Sequence, residues 1–216
     1  MIIRSYDLNV RMIERAERTD TKLRILDAAE NLFGRRGFDA TSLRDITGEA
    51  QVNLAAVNYH FQSKDSLIDA VIQRRIEPVN RRRLEMLDAA GPNATIEQIM
   101  EAFAVPVIES DLSQIMPLMG RVLSTPDQFV TRVFNKHLKS VADRFVDGIG
   151  RALPELTQAE LMWRIHFVGG IIAHVLSWSH LLPELTGGVC DPSDRKALTA
   201  RLVRFMSAGF RAPEGK

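Results

Sequence analysis

Residues 41–64, TSLRDITGEAQVNLAAVNYHFQSK, constrain the fold more than any other stretch. They hold two amphipathic segments, each too short to persist as an isolated helix, joined by a tight turn. Ser42 and Asp45 have capping-box spacing, so the first segment starts near Ser42. Leu43, Ile46 and Ala50 then share one helical face. Ala50-Gln51-Val52-Asn53 supplies the turn, and Asn53 is a good cap for a second helix, Leu54 to Phe61. Val57 and Phe61 point inward. Leu54, Ala55, Asn58, Tyr59 and His60 are left for the outside. Small residues followed by amide, phenol and imidazole groups suit a surface that approaches a nucleic acid closely. A helix-turn-helix puts such a second helix into the major groove.

The rest of the chain also reads as helix. Thr21 to Arg36 repeats Ile25, Leu26, Ala29, Leu32 and Phe33 at three- and four-residue spacing, with Gly37 to close it. Phe38 is expected beneath the helix-turn-helix. Ser63 caps a fourth helix, in which Pro78 should produce a kink or a break before it resumes to Leu87. The segment DAAGPNAT (88–95) reads as a domain boundary. Helical periodicity returns over Thr95 to Glu109, over the nearly all-apolar Leu112 to Ser124, and over a long helix from Thr125-Pro126 to Ile149. Thr157 and Glu160 form a capping box for a helix running to about residue 182. Pro183 to Pro192 reads as a loop, and Ser193 or Asp194 starts the last helix. No strand pattern survives, so the chain is expected to be all-α.

Composition narrows the function classes. Lys and Arg number 28 against 27 Asp and Glu, so bulk charge offers no case for nucleic acid, and local placement must carry it. The single cysteine, Cys190, excludes an intrachain disulfide and a cysteine metal cluster. No run approaches the eighteen apolar residues of a membrane span, and MIIRSYDLNVRMIERAERTD lacks the apolar core of a signal peptide. A cytoplasmic protein without cofactor or metal is the expectation. An enzyme would need convergent groups. His174 and His180 stand six residues apart, off one helical face, and Cys190 has no assigned base.

The stretches ILDAAENLFGRRGFDATSLRDI (25–46) and VNLAAVNYHFQSKDSLIDAV (52–71) resemble the N-terminal domain of TetR-family transcriptional repressors. The carrying order is helix, Gly-Phe, Thr-Ser, turn, Asn-Tyr-His-Phe, Ser-Lys-Asp. The VNLAAVNYHF version is similar to the fatty-acid-responsive, PsrA-like subgroup. One departure is Gln51, at a turn position where the family usually carries glycine; a left-handed conformation there costs a non-glycine residue roughly 1–2 kcal/mol.

The resemblance implies a flexible arm over 1–20, a helix-turn-helix DNA-binding domain over 21–68, a connecting helix and linker over 69–94, and a helical effector-binding and dimerisation domain over 95–211. It assigns phosphate contacts to Thr41 or Ser42, Tyr59, His60 and Lys64. Arg44, Asn53, Leu54, Ala55 and Asn58 are candidates for base edges or the groove wall. It also implies a homodimer on double-stranded DNA, paired through the last two long helices, with Gly169, Gly170 and Ala173 compatible with close approach there or within the chain. A small apolar or amphipathic effector would be lined by residues such as Met100, Phe103, Met116, Met119, Phe129, Phe134 and Trp178. Arg121, His166 and His174 are the candidate anchors for its polar head.

Overall fold

The computed structural model describes residues 2–110 and 128–214, with side chains placed over 19–110 and 131–214. Every regular element among them is helical. The helices are α1 (Ile2–Arg36), α2 (Leu43–Ala50), α3 (Leu54–Phe61), α4 (Lys64–Ala90), α5 (Ile96–Glu109), α6 (Gln128–Val133), α7 (Lys139–Ala152), α8 (Gln158–Trp178), α9 (Leu182–Leu185) and α10 (Arg195–Arg211). A π-helical turn, Phe134–Leu138, joins α6 to α7, and a 3₁₀ turn, Ser179–Leu181, joins α8 to α9. The expected helix over 112–124 lies outside the described residues.

The chain divides into two compact units, Met1–Arg74 and Arg75–Lys216. The division falls inside α4. Gly91-Pro92, expected at the boundary, is instead a turn between two helices of the second unit. Pro78 does not break α4, which runs through it without interruption. A proline costs one backbone hydrogen bond, and the helix is tied on both sides of it. Arg74 bonds Asp27 at 2.6 Å, and the Asn80 amide donates to the His137 carbonyl at 2.8 Å. The first helix begins at Ile2, so the stretch expected as an arm continues α1 as helical backbone. No glycine or proline interrupts residues 2–33.

The first unit is a small three-helix head closed by the start of α4. Ile25, Ala29 and Phe33 of α1, Ile46 of α2, Val57 and Phe61 of α3, and Leu67, Val71 and Ile72 of α4 are buried. The local signals fold as their chemistry dictates. Gly37 ends α1 at φ 85, and Phe38 meets Phe33 edge-on with centroids 5.1 Å apart. Ser42 and Asp45 complete both arms of their capping box, and the Ser63 hydroxyl accepts from the Ser66 N–H at the start of α4.

In the second unit Ile99, Met100 and Val107 of α5, Val141, Phe145 and Ile149 of α7, Leu161, Val168 and Ile172 of α8, and Leu202, Met206 and Phe210 of α10 form one core. Thr95 and Gln98 make a full capping box for α5. The box expected at Thr157 is only half made. Its hydroxyl caps the Glu160 N–H, but the Glu160 carboxylate turns to Arg164, and the Thr157 N–H donates to Glu214 instead.

Candidate nucleic-acid interface

In α3, Val57 and Phe61 form the floor, and the residues between them face solvent. Tyr59 is 67% exposed and Leu54 44% exposed; Ala55 and Asn58 are exposed beside them, and His60 is half-buried against Tyr59. One face therefore offers a methyl, an isobutyl group, an amide, a phenol and an imidazole, on a helix whose other face is fixed by packing.

Capping decides which of these groups are free. The Asn53 side-chain oxygen accepts from the Ala56 N–H at 2.9 Å, so that amide is already committed to the cap. Asn58 has no such duty. It is the better placed of the two for paired contact with adenine, which needs both ends of the amide. At the start of α2, the Ser42 N–H and hydroxyl both go to Asp45 Oδ2, at 2.8 and 2.6 Å. Those bonds, the Ser42 hydroxyl's first, hold the Asp45 carboxyl below the usual carboxylate range, with a lesser contribution from Arg36. That helix end thus carries its own anion. The donors left there by position are the backbone N–H groups of Leu43 and Arg44 and the exposed Arg44 side chain.

Thr41 corrects the expectation made for it. It is fully buried, and its hydroxyl donates to the Gly37 carbonyl at 2.8 Å, with the Leu32 carbonyl at 3.4 Å. It locks the end of α1 to the start of α2 and has no route to a phosphate. Lys64 stays half-exposed at the first position of α4, one residue after Ser63.

The turn between α2 and α3 holds a residue that sequence reasoning missed. Gln51 adopts the left-handed conformation, φ 52 and ψ 46, which the glycine departure made costly. Arg24 of α1 reaches across and donates from Nη2 to the carbonyls of Ala50 at 2.6 Å and Gln51 at 3.0 Å. Charge-assisted bonds to two successive carbonyls fasten the turn and offset its strain. The only sequence signal was an arginine between the buried positions of α1, which reads as solvated surface.

Beyond the head, the described effector candidates split apart. Phe103 is half-buried, edge-on to Phe145 at 5.4 Å. Phe134 is 44% exposed in the π-helical turn. His166, His174 and Trp178 lie on the outer side of α8, and all three are exposed. That placement corrects their assignment to a pocket lining. Met116, Met119, Arg121 and the side chain of Phe129 fall outside the described residues.

The outer side of α8 has a chemistry of its own. Trp163, Phe167, Gly170, His174 and Trp178 recur at three- and four-residue spacing, all exposed. Trp163 stacks on Phe167, and His174 lies parallel to Trp178. Among the described residues nothing approaches within 4 Å of a Cβ built at Gly169 or Gly170, so these glycines make no close packing with any of them. On the neighbouring α10, Phe205 is 68% exposed and Gly209 is equally open. The helical run Gln158–Leu185, at mean hydropathy 1.4, is long and apolar enough to cross a membrane, which the residue-by-residue reading did not anticipate. It holds Arg164, which is buried and paired to Glu160 and to the Phe210 carbonyl. A helix pinned by an ion pair on one side and bare on the other suits contact with further helices.

Residues 25–71 match the family model for bacterial regulatory proteins of the tetR family, and residues 101–209 match that of the tetracyclin repressor-like C-terminal domain. The HTH-type transcriptional regulator SrpR of Pseudomonas putida is 29% identical over 147 residues, covering 68% of this chain and 66% of that protein. The probable HTH-type transcriptional regulator YttP of Bacillus subtilis is 23% identical over 122 residues, covering 56% of this chain and 59% of the relative. The chain thus spans less than two thirds of the length of these two curated relatives. Among solved structures, the hemolysin II transcriptional regulator HlyIIR superposes with a TM-score of 0.60 at 18% identity, over 88% of this chain and 98% of that one. FadR of Bacillus subtilis, solved with stearoyl-CoA, superposes with a TM-score of 0.67 at 13% identity, over 87% and 98%. These two share the fold. Both halves of the chain match their models, and the protein belongs to the TetR family of DNA-binding transcriptional regulators.

Proposed function

We propose that the protein is a repressor that binds a palindromic operator as a homodimer and leaves it when a small apolar or amphipathic ligand, a fatty acid or acyl-CoA, enters the C-terminal unit. The observation that carries the DNA half is the exposed row on α3, held over Val57 and Phe61 and fastened through the Arg24 turn. Asn58, Leu54 and Ala55 face the bases, with Arg44 beside them. Tyr59, His60 and Lys64 hold phosphates and set the register.

A single eight-residue helix is too small for selective binding, and two-fold pairing doubles the reading surface. The bare aromatic face of α8, with Phe205 exposed on α10, supports pairing through the last two long helices. The lipid class rests on the resemblance of VNLAAVNYHF to the fatty-acid-responsive subgroup. The bound stearoyl-CoA belongs to FadR, a fold neighbour. A nicotine-responsive repressor, HdnoR of Paenarthrobacter nicotinovorans, is also among the relatives, at 28% identity over 100 residues.

Selection from random duplexes should recover an inverted repeat. Titration of long-chain fatty acids and acyl-CoA against the selected operator should then weaken binding. A ligand acts only through its difference in affinity for two states, so tenfold weaker DNA binding needs about 1.4 kcal/mol of coupling. An operator affinity unmoved by every lipid would leave a constitutive DNA-binding protein.

A further inference from the structure

Among its described residues the second unit buries two arginines and treats them differently. Arg164 donates from Nε to Glu160 at 2.8 Å and from Nη1 to the Phe210 carbonyl at 2.7 Å. A carboxylate one turn away and the carbonyl end of α10 balance its charge. Arg83, on α4, is buried as deeply but has no carboxylate partner among the described residues. Its Nε donates to the Phe103 carbonyl at 3.0 Å, and Nη1 reaches the Asn80 amide oxygen only at 3.5 Å. Its guanidinium carbon lies 4.3 Å from the Phe103 ring centroid. These partners are all neutral, and a guanidinium carries five N–H donors. Burial pulls its pKa down to about 10, which leaves it charged at neutral pH. A cation in the interior without a counter-ion is costly, and a π face recovers only part of the cost.

The surroundings are built around that charge. Asn80, which accepts from Arg83, also donates to the His137 carbonyl in the π-helical turn. Such turns are rare and often mark functional positions. Phe103, which receives Arg83 on both its carbonyl and its ring, packs against Phe145. Pro106 deprives the Ala102 carbonyl of its usual helical donor, one residue before the carbonyl that Arg83 uses. A fixed fork of donors therefore stands beside aromatic walls, at a point where two helices depart from regular geometry.

We propose that Arg83 is the anchor for a carboxylate head group on an apolar ligand, with Phe103 and Phe145 lining the start of its tail. The planar fork matches a carboxylate bidentately, and the anion supplies the missing counter-charge. This assignment rests on the effector reading given above and names the chemistry of the effector's head. Arg83 belongs to the same unbroken helix that starts at Lys64, directly after the DNA-reading segment.

Full-length protein titrated with dodecanoate and with methyl dodecanoate, its uncharged counterpart, decides the matter by calorimetry. The wild type should bind the acid at least tenfold more tightly than the ester. Arg83→Met should bind the two alike, and without ligand it should melt no lower than the wild type, because an uncompensated buried charge has gone. Arg83→Lys, which keeps a point charge but loses the fork, should retain a reduced preference and decides the question if the methionine variant does not fold. Equal binding of acid and ester by the wild type, binding of neither, or a preference undiminished in the variants overturns the proposal. The two readings also fail separately. An Arg83-dependent acid preference with unchanged operator affinity sustains the anion site and removes the effector role. Release of DNA by acid and ester alike sustains the effector role and removes Arg83 as its anchor.

Discussion

The two units place polarity in opposite ways. In the DNA-reading head the outward residues of α3 are, apart from Leu54, polar or small, and the floor beneath them is apolar: Asn58 and Tyr59 lie above Val57 and Phe61. In the second unit the outer side of α8 carries Trp163, Phe167 and Trp178, α10 adds Phe205, and inside is Arg83, a cation with no carboxylate partner among the described residues. The contrast fits the partners proposed for each surface. A nucleic acid is a polyanion with hydrogen-bonding edges, so its reader must expose donors and acceptors. A helix from a second subunit is apolar, so its receiver exposes rings and glycines. An anionic ligand leaving water needs a cation waiting where water is absent.

The sharpest way to break the comparison is to charge the aromatic face. Trp163→Glu or Phe205→Glu should convert a dimer to monomer in sedimentation equilibrium. Operator affinity should fall roughly 100-fold or more, since two linked heads gain that order of avidity. Helix content should remain native, because both side chains are exposed in the single chain. Monomer with undiminished operator affinity would show that the face serves something other than pairing.

Within the head the expected effects are smaller and separable. Asn58→Ala should cost about 1–3 kcal/mol on the selected operator and relax preference at one base position per half-site. Asn53→Ala should act through stability instead, by about 1 kcal/mol, since its carbonyl caps α3. Lys64→Ala should weaken all duplexes alike and reduce the magnitude of the salt slope by about 1 per head. A base-specific loss on Asn53→Ala, equal to that of Asn58→Ala, would show that capping does not sort the two amides.

Arg24→Ala tests whether the head is tuned from behind. The left-handed Gln51 should then lose the two bonds that hold its turn, lowering operator affinity by about tenfold, some 1.4 kcal/mol. Gln51→Gly in the same background should restore most of it, because glycine adopts that conformation without strain. Failure of the glycine to rescue would mean that Arg24 acts on DNA directly rather than on the turn.

The head was legible in the sequence because its signals are local. The Ser42–Asp45 box, the Asn53 cap, Val57 and Phe61 inside and Tyr59 outside all follow from spacing of a few residues. Thr41 was misassigned because a hydroxyl at a helix start looks the same whether it faces an anion or the preceding helix. Arg24 was missed because its acceptors lie 26 and 27 residues away. The second unit was legible as helices but not as a site. Helical periodicity marks an apolar face without saying whether it meets the core, a ligand or a partner, so Trp178 and His174 stay open between pocket and surface until the tertiary structure is known. Arg83 is the last of three successive arginines, and only tertiary packing distinguishes it from the exposed Arg81 and Arg82.

The smallest effect concerns how α5 and α10 are held. Glu97 of α5 pairs with Arg211 of α10 at the rim of an open groove of about 1170 Å³ between the two helices. The Arg211 guanidinium holds the Glu97 carboxyl down to about 2, against an ordinary value of 4.5. A carboxyl depressed in the folded state stabilises the fold above its unfolded pKa, and that contribution disappears as pH falls from about 4.5 towards 2. Both side chains remain about half exposed, 50% and 44%, so solvent screens most of the interaction. Glu97→Gln should therefore lower the melting temperature at pH 7 by only about 1–3 °C. The deficit should shrink in high salt and vanish near pH 2, where the wild-type carboxyl is also losing its charge. A deficit that persists at low pH would show that Glu97 holds α5 against α10 by packing of its stem, and that charge contributes nothing measurable there.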